Sequence, residues 1–206
     1  MPSTPRAIGR RVPLPPAGSG QRIGLFGGSF DPPHAGHAHV VRTALARLKL
    51  DRVWVLVTPG NPLKRRGPGL STAERIAALR AMLPDARVTI TDLEGRAGLV
   101  WTRDTVAWLA RHAPEQRFVW LMGADNLASF HRWGGWRSIA ATLPIAIVDR
   151  PGGVFAASSA RAAIALARRR VPESRAASLA TTPAPAWTFL HAKRVALSST
   201  ELRRGS

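Results

Sequence analysis

Cysteine is missing altogether from the 206 residues. Its absence excludes disulfides, thiolate metal sites, iron–sulfur clusters and cysteine nucleophiles, and it fits a reducing compartment such as the cytoplasm. Lysine is nearly missing too: only Lys49, Lys64 and Lys193 occur, so arginine supplies almost all of the 30 basic residues. Acidic residues number 12, which leaves a net charge of +18. No apolar run approaches the roughly 20 residues that span a bilayer. Met1–Gln21 carries Arg6, Arg10 and Arg11, but Pro5, Pro13, Pro15 and Pro16 interrupt it and it has no apolar h-region. It reads as a mobile Pro/Arg-rich tail, with 22–206 as one domain. Neither G-x-G-x-x-G nor a Gly-Lys-Ser/Thr phosphate loop occurs.

What is present is an ordinary globular composition, 45% hydrophobic and 20% charged, on a chain long enough to bury a core without staples. The positive field suits polyanions: nucleic acid, acidic membrane or phosphorylated small molecules. A coding bias toward arginine accounts for the charge equally well, because the arginines are spread along the whole chain. Short apolar runs alternate with helical periodicity. Strands are expected at Arg22–Gly27, Arg52–Val57, Arg87–Thr91, Phe118–Met122, Ile145–Val148 and Trp187–Leu190. Helices are expected at His37–Leu50, Ser71–Leu83, Thr102–His112 and Ala156–Arg170, with one or two short ones in Ala124–Leu143. Ser71 and Glu74 form a capping box. Val171–Pro185 reads as a polar linker, and Ser199–Arg204 as the first turn of a final helix. Strands separated by helices predict an α/β, Rossmann-like doubly wound fold, with a mainly parallel sheet and helices on both faces. Ligands in such sheets sit at the carboxyl ends of the strands.

The most informative segment runs from Gly27 to His37 (GGSFDPPHAGH) and bridges the first strand and first helix. Gly27 and Gly28 let the backbone approach a ligand, and Ser29 adds a hydroxyl. The helix start offers unpaired N–H groups and the positive end of the dipole, a natural phosphate site. His34 and His37 stand three apart and can face one pocket. The pair could equally cap the helix or bind metal, although without cysteine and with only Asp31 nearby a structural metal is disfavoured. His39 reads as structural. A second cluster, Ser198, Ser199, Thr200, Glu201 and Arg203, puts hydroxyls and an arginine at a helix start.

Taken together, GGSFDPPHAGH and LSSTELR resemble the H-x-G-H and I-S-S-T-x-x-R signatures of the nucleotidyltransferase superfamily, and within it the bacterial nicotinate-nucleotide adenylyltransferase family. Pro59–Lys64, Trp101–Thr105, Gly123–Leu127 with Phe130, Trp133 and Trp136, and Arg150–Gly152 resemble further segments of that family. Trp101 stands where tyrosine is common, and Leu197 where isoleucine is. The resemblance implies adenylyl transfer from ATP to nicotinate mononucleotide, a step of NAD synthesis, with Mg²⁺ bound alongside the ATP phosphates. It implies that Gly27, Gly28, Ser29, Phe30, Asp125, Ser198, Ser199 and Thr200 bind ATP. His34, His37 and Arg203 would stabilise the transferring phosphates. Lys64, Thr102, Trp133 and, as an alternative platform, Trp136 would hold the mononucleotide.

The expected partners are these two substrates, with no nucleic acid or membrane; self-association is left open. Competing readings change the acceptor to nicotinamide mononucleotide or phosphopantetheine, transfer a cytidylyl group, or use the charge for nucleic acid. No recognised nucleic-acid motif supports the last.

Overall fold

The computed structural model describes residues 9–59, 69–149 and 159–191. Six strands carry the chain: β1 (Arg22–Gly28), β2 (Arg52–Val57), β3 (Val88–Thr91), β4 (Arg117–Gly123), β5 (Ile145–Val148) and β6 (Trp187–Leu190). They form one parallel sheet in the order β3-β2-β1-β4-β5-β6. The chain winds outward from β1 to β3, then returns to start again at β4 beside β1. The doubly wound fold expected from the alternating pattern is therefore present.

Strand side chains alternate between two buried faces, as the period of two requires. Ile23, Leu25, Trp54, Leu56, Phe118, Trp120, Ile145 and Phe189 share one core, and Phe26, Val53, Val55, Val119, Leu121, Ala146 and Leu190 share the other. The first core is covered by α3 (Leu93–Ala97), α4 (Thr102–His112), α5 (Ala124–Phe130), α6 (Trp136–Thr142) and α7 (Arg161–Ala165). The second is covered by α1 (Ala35–Arg47), by α2 (Thr72–Met82) and by a 3₁₀ segment, Glu173–Thr181.

Several elements differ from the sequence expectation. The first helix begins two residues early, because His34 caps it, and it ends before Lys49, whose φ of 50° is left-handed. Helix α3 is an addition to the expected elements; its five residues are too few to show a period. The expected helix over 156–170 appears in its described part as α7 followed by a 3₁₀ turn, Ala167–Arg169. The expected linker over 171–185 is ordered: Val171 N–H donates to the Trp187 carbonyl at 2.7 Å, and Ala176, Leu179 and Ala180 are buried. Small alanines on a 3₁₀ turn bury as well as a longer apolar stripe.

The part of the expected tail that is described, from Gly9, lies against the domain instead. Val12, Leu14 and Ala17 pack on the first core, and Arg10 N–H donates to the Ala97 carbonyl at 2.8 Å. Arg96 Nη1 also donates to the Pro13 carbonyl at 3.3 Å, a tie that composition alone does not reveal. The expected final helix at 199–204 lies outside the described residues.

Candidate active site

The β1–β4 ladder runs from Arg22↔Arg117 to Leu25↔Trp120 and goes no further. Beyond it, β1 stays paired with β2 as far as Gly28↔Val57, and β4 stays paired with β5 as far as Gly123↔Val148. The two central strands thus part at their carboxyl ends, where the strand order reverses. A cleft of about 690 Å³ opens in that fork.

One wall is the turn leaving β1. Gly27, Gly28, Ser29, Phe30, Asp31, His34 and His37 all line the cleft. A Cβ on Gly27 would stand 2.8 Å from Cη2 of Trp120, the indole on the cleft floor, so no larger residue fits there. Phe30 has φ of 50°, a left-handed conformation that costs a non-glycine residue about 1 kcal/mol. Its buried ring, edge-on to Phe26 at 5.4 Å and to His37 at 4.9 Å, holds it there.

The two histidines both cap α1 and face the cleft. His34 Nδ1 accepts from Gly36 N–H at 3.2 Å, and His37 Nδ1 accepts from His34 N–H at 3.1 Å. Their rings stack with centroids 3.7 Å apart. Because both Nδ1 atoms accept, the hydrogen-bond pattern assigns the proton of each neutral ring to Nε2. The pair therefore presents two N–H donors in fixed orientation at the positive end of a 13-residue helix. His39 stands apart from the cleft, with Nε2 3.0 Å from the Asp149 carbonyl, in the structural role its position suggests.

The opposite wall comes from three segments after β3 and β4. Val100, Trp101 and Thr102 enter at the start of α4; Gly123, Asp125 and Asn126 at the start of α5; and Arg132, Trp133 and Gly134 after α5. Trp133 packs edge-on against Phe130, with centroids 5.4 Å apart. Trp136, the alternative platform, does not line the cleft. It is buried against Phe130 and carries Arg137 over its ring at 4.5 Å, so it belongs to the core. Lys64, Ser198, Ser199, Thr200 and Arg203 lie outside the described residues.

Sequence reasoning gave no site role to Arg75, Trp101 or Arg132. Trp101 is 47% exposed at the rim, and Arg132 lines the cleft beside Trp133. Arg75 is buried in α2 on the stripe it shares with Leu79 and Leu83. A charge on an apolar stripe is the signal that could have found it. Beneath α4, Glu94 is buried and accepts from Thr105 Oγ1 at 2.7 Å, while its Oε2 has no partner among the described residues. Burial pushes this carboxyl up to about 7, although the Thr105 hydrogen bond pulls the other way.

The cleft thus has a glycine-lined turn, a helix N-terminus and two imidazole donors on one side, groups whose chemistry suits phosphate, and flat apolar indoles on the other. Residues 25–205 match the cytidylyltransferase-like family. The chain belongs to that family, and with it to the nucleotidyltransferases. A Methylorubrum extorquens protein named a probable nicotinate-nucleotide adenylyltransferase is 57% identical over 182 residues, covering 88% of this chain and 98% of that protein. One of the same name from a Bradyrhizobium species is 56% identical, covering 88% and 95%. Among solved structures, Plasmodium falciparum nicotinic acid mononucleotide adenylyltransferase complexed with NaAD has a TM-score of 0.63. It is 18% identical over 89% of this chain and 83% of that one. At that identity the likeness is one of fold. Among the described residues, no helix is long and apolar enough to cross a membrane.

Proposed function

We propose that this chain transfers the adenylyl group of ATP to nicotinate mononucleotide, giving nicotinate adenine dinucleotide and pyrophosphate. The observation that carries this reading is the high identity to relatives of that name along nearly their whole length, joined to a forked cleft with phosphate donors on one wall and an indole on the other.

The mononucleotide phosphate, already ionised at neutral pH, attacks the α-phosphorus of ATP in line; the new P–O bond forms as the bond to the leaving pyrophosphate breaks. No general base is required, so the protein's part is positioning and charge neutralisation. The Gly28–Phe30 backbone and the Nε2–H groups of His34 and His37 hold the ATP phosphates. Asp125 takes the adenosine ribose. Thr102 and Trp133 meet the pyridine ring. Ser198, Ser199, Thr200 and Arg203 take the departing phosphates, and Lys64 the mononucleotide phosphate.

With Asp125 on the ribose, Asp31 is the carboxylate left on the phosphate side of the cleft. One carboxylate suits a Mg²⁺ ion arriving on ATP, since such ions take one or two carboxylates and complete their shell with phosphate oxygens and water. When bound, the ion neutralises charge on the polyphosphate.

Chromatographic detection of dinucleotide product from ATP with the acid or the amide mononucleotide tests the reading. Product should form with a higher kcat/KM for the acid, and Trp133→Ala should raise the mononucleotide KM about tenfold while leaving that of ATP near its starting value. Absence of dinucleotide with either mononucleotide would overturn the assignment, and an unchanged KM in Trp133→Ala would remove the stacking role.

A further inference from the structure

Arg75 is 4% exposed, yet among the described residues its hydrogen bonds all go to neutral oxygens. Nε donates to the Leu70 carbonyl at 3.2 Å, Nη1 to the carbonyls of Ser29 at 2.5 Å and Thr58 at 2.9 Å, and Nη2 to Thr72 Oγ1 at 2.8 Å. A buried cation without a carboxylate carries a large desolvation cost. Here carbonyl dipoles compensate it, and two of those carbonyls belong to cleft-lining residues, Ser29 and Thr58.

We propose that Arg75 is a positioning residue for the adenylyl-transfer reaction: it holds the Ser29 carbonyl away from the cleft and so aims the Phe30 N–H at the nucleotide phosphates. The Ser29–Phe30 peptide is planar and trans, so its N–H points opposite to its C=O. Fixing one end of the unit on the guanidinium fixes the other end on the cleft side. The hydrogen bond also polarises the peptide and strengthens its N–H as a donor. The same fork ties Thr58 and the start of α2 to this turn, and Asp31 Oδ1 accepting from Leu70 N–H at 3.0 Å adds a parallel tie. The planar, five-donor guanidinium spans these acceptors together, whereas an ammonium is a point charge.

The inference rests on reading the Gly27–His37 turn as the phosphate cradle, and two measurements separate its failure from that of the proposed reaction. ATP affinity by calorimetry reads the cradle whatever the acceptor, and turnover reads the reaction. Arg75→Lys keeps the charge but loses the fork. It should weaken ATP binding about tenfold and lower kcat about 100-fold, with mononucleotide affinity unchanged. Arg75→Ala should show the same split more strongly and regain part of its ATP affinity in millimolar guanidinium. If Arg75→Ala does not fold, Arg75→Lys carries the test alone. An Arg75→Lys protein that binds ATP as the starting protein does, or that loses affinity for both substrates equally, would overturn the proposal. A starting protein that binds ATP but makes no dinucleotide, with the ATP loss still present in Arg75→Lys, would support Arg75 and count against the acceptor reading.

Discussion

Glu94 shows how one side chain ties the fold to solution conditions. It sits under α4, whose first residue Thr102 lines the cleft, and only one of its two oxygens is bonded within the described residues. Its folded value near 7 lies above the ordinary 4.5 expected in the unfolded chain. The folded state therefore binds the proton more tightly, and this stabilisation is full below about pH 4.5 and lost as pH rises through 7. The expected loss is at most about 3 kcal/mol between pH 5 and 8. Denaturant unfolding of the starting protein and of Glu94→Gln across that range checks it. The difference between the two should change with pH in that sense, and a difference that stays level would contradict the assignment.

Residue identity is legible unevenly. The glycines, Ser29 and the two histidines stand out because their spacing at a strand–helix junction has few other uses. Trp133 and Trp136 cannot be told apart in the sequence, since two indoles three positions apart carry the same chemistry. Only the entry angle of α6, set after Gly135 at φ of 73°, sends Trp136 inward. Arg75 escapes notice because a lone charge in an amphipathic helix is usually solvated.

At the scale of elements, boundaries follow wherever a local signal stops the chain. The ends of α4, β5 and β6 agree with expectation because prolines or abrupt changes in hydrophobicity flank them. The Ser71–Glu74 box caps α2 as its spacing predicts, with Ser71 Oγ accepting from Glu74 N–H at 3.2 Å and Glu74 Oε2 accepting from Ser71 N–H at 2.7 Å. The errors have a common source. An imidazole is an uncommon N-cap, so the sequence places the start of α1 late. The short α3 buries Leu93, Glu94 and Ala97, and the 3₁₀ segment Ala176, Leu179 and Ala180, through tertiary contact that periodicity does not register in so few residues. Glu173 anchors that 3₁₀ segment from both sides, accepting from Arg47 Nη2 at 2.8 Å and from His191 N–H at 3.1 Å.

The whole molecule is organised by the fork between β1 and β4. Residues far apart in sequence, such as Ser29, Thr102 and Trp133, reach one cleft because the winding reverses there. Alternating strands and helices make this architecture legible, but the point where the ladder ends depends on pairing that sequence does not display. The +18 charge acts at this scale as well. Two polyanionic substrates approach a cationic protein, so KM for both should rise several-fold between about 50 and 300 mM salt, seen in initial rates. Salt-independent KM values would mean that the field plays no part in substrate capture.

In the proposed reaction the stacked imidazoles at the start of α1 stabilise charge on the transferring phosphate, and the initial rate of pyrophosphate release from ATP and nicotinate mononucleotide, compared between the starting protein and His37→Ala, reads that role. The starting protein should release pyrophosphate, and the variant should do so two to three orders of magnitude more slowly, or about 3–4 kcal/mol of lost transition-state stabilisation. A His37→Ala protein that releases pyrophosphate at the starting rate would remove the imidazoles from the chemistry.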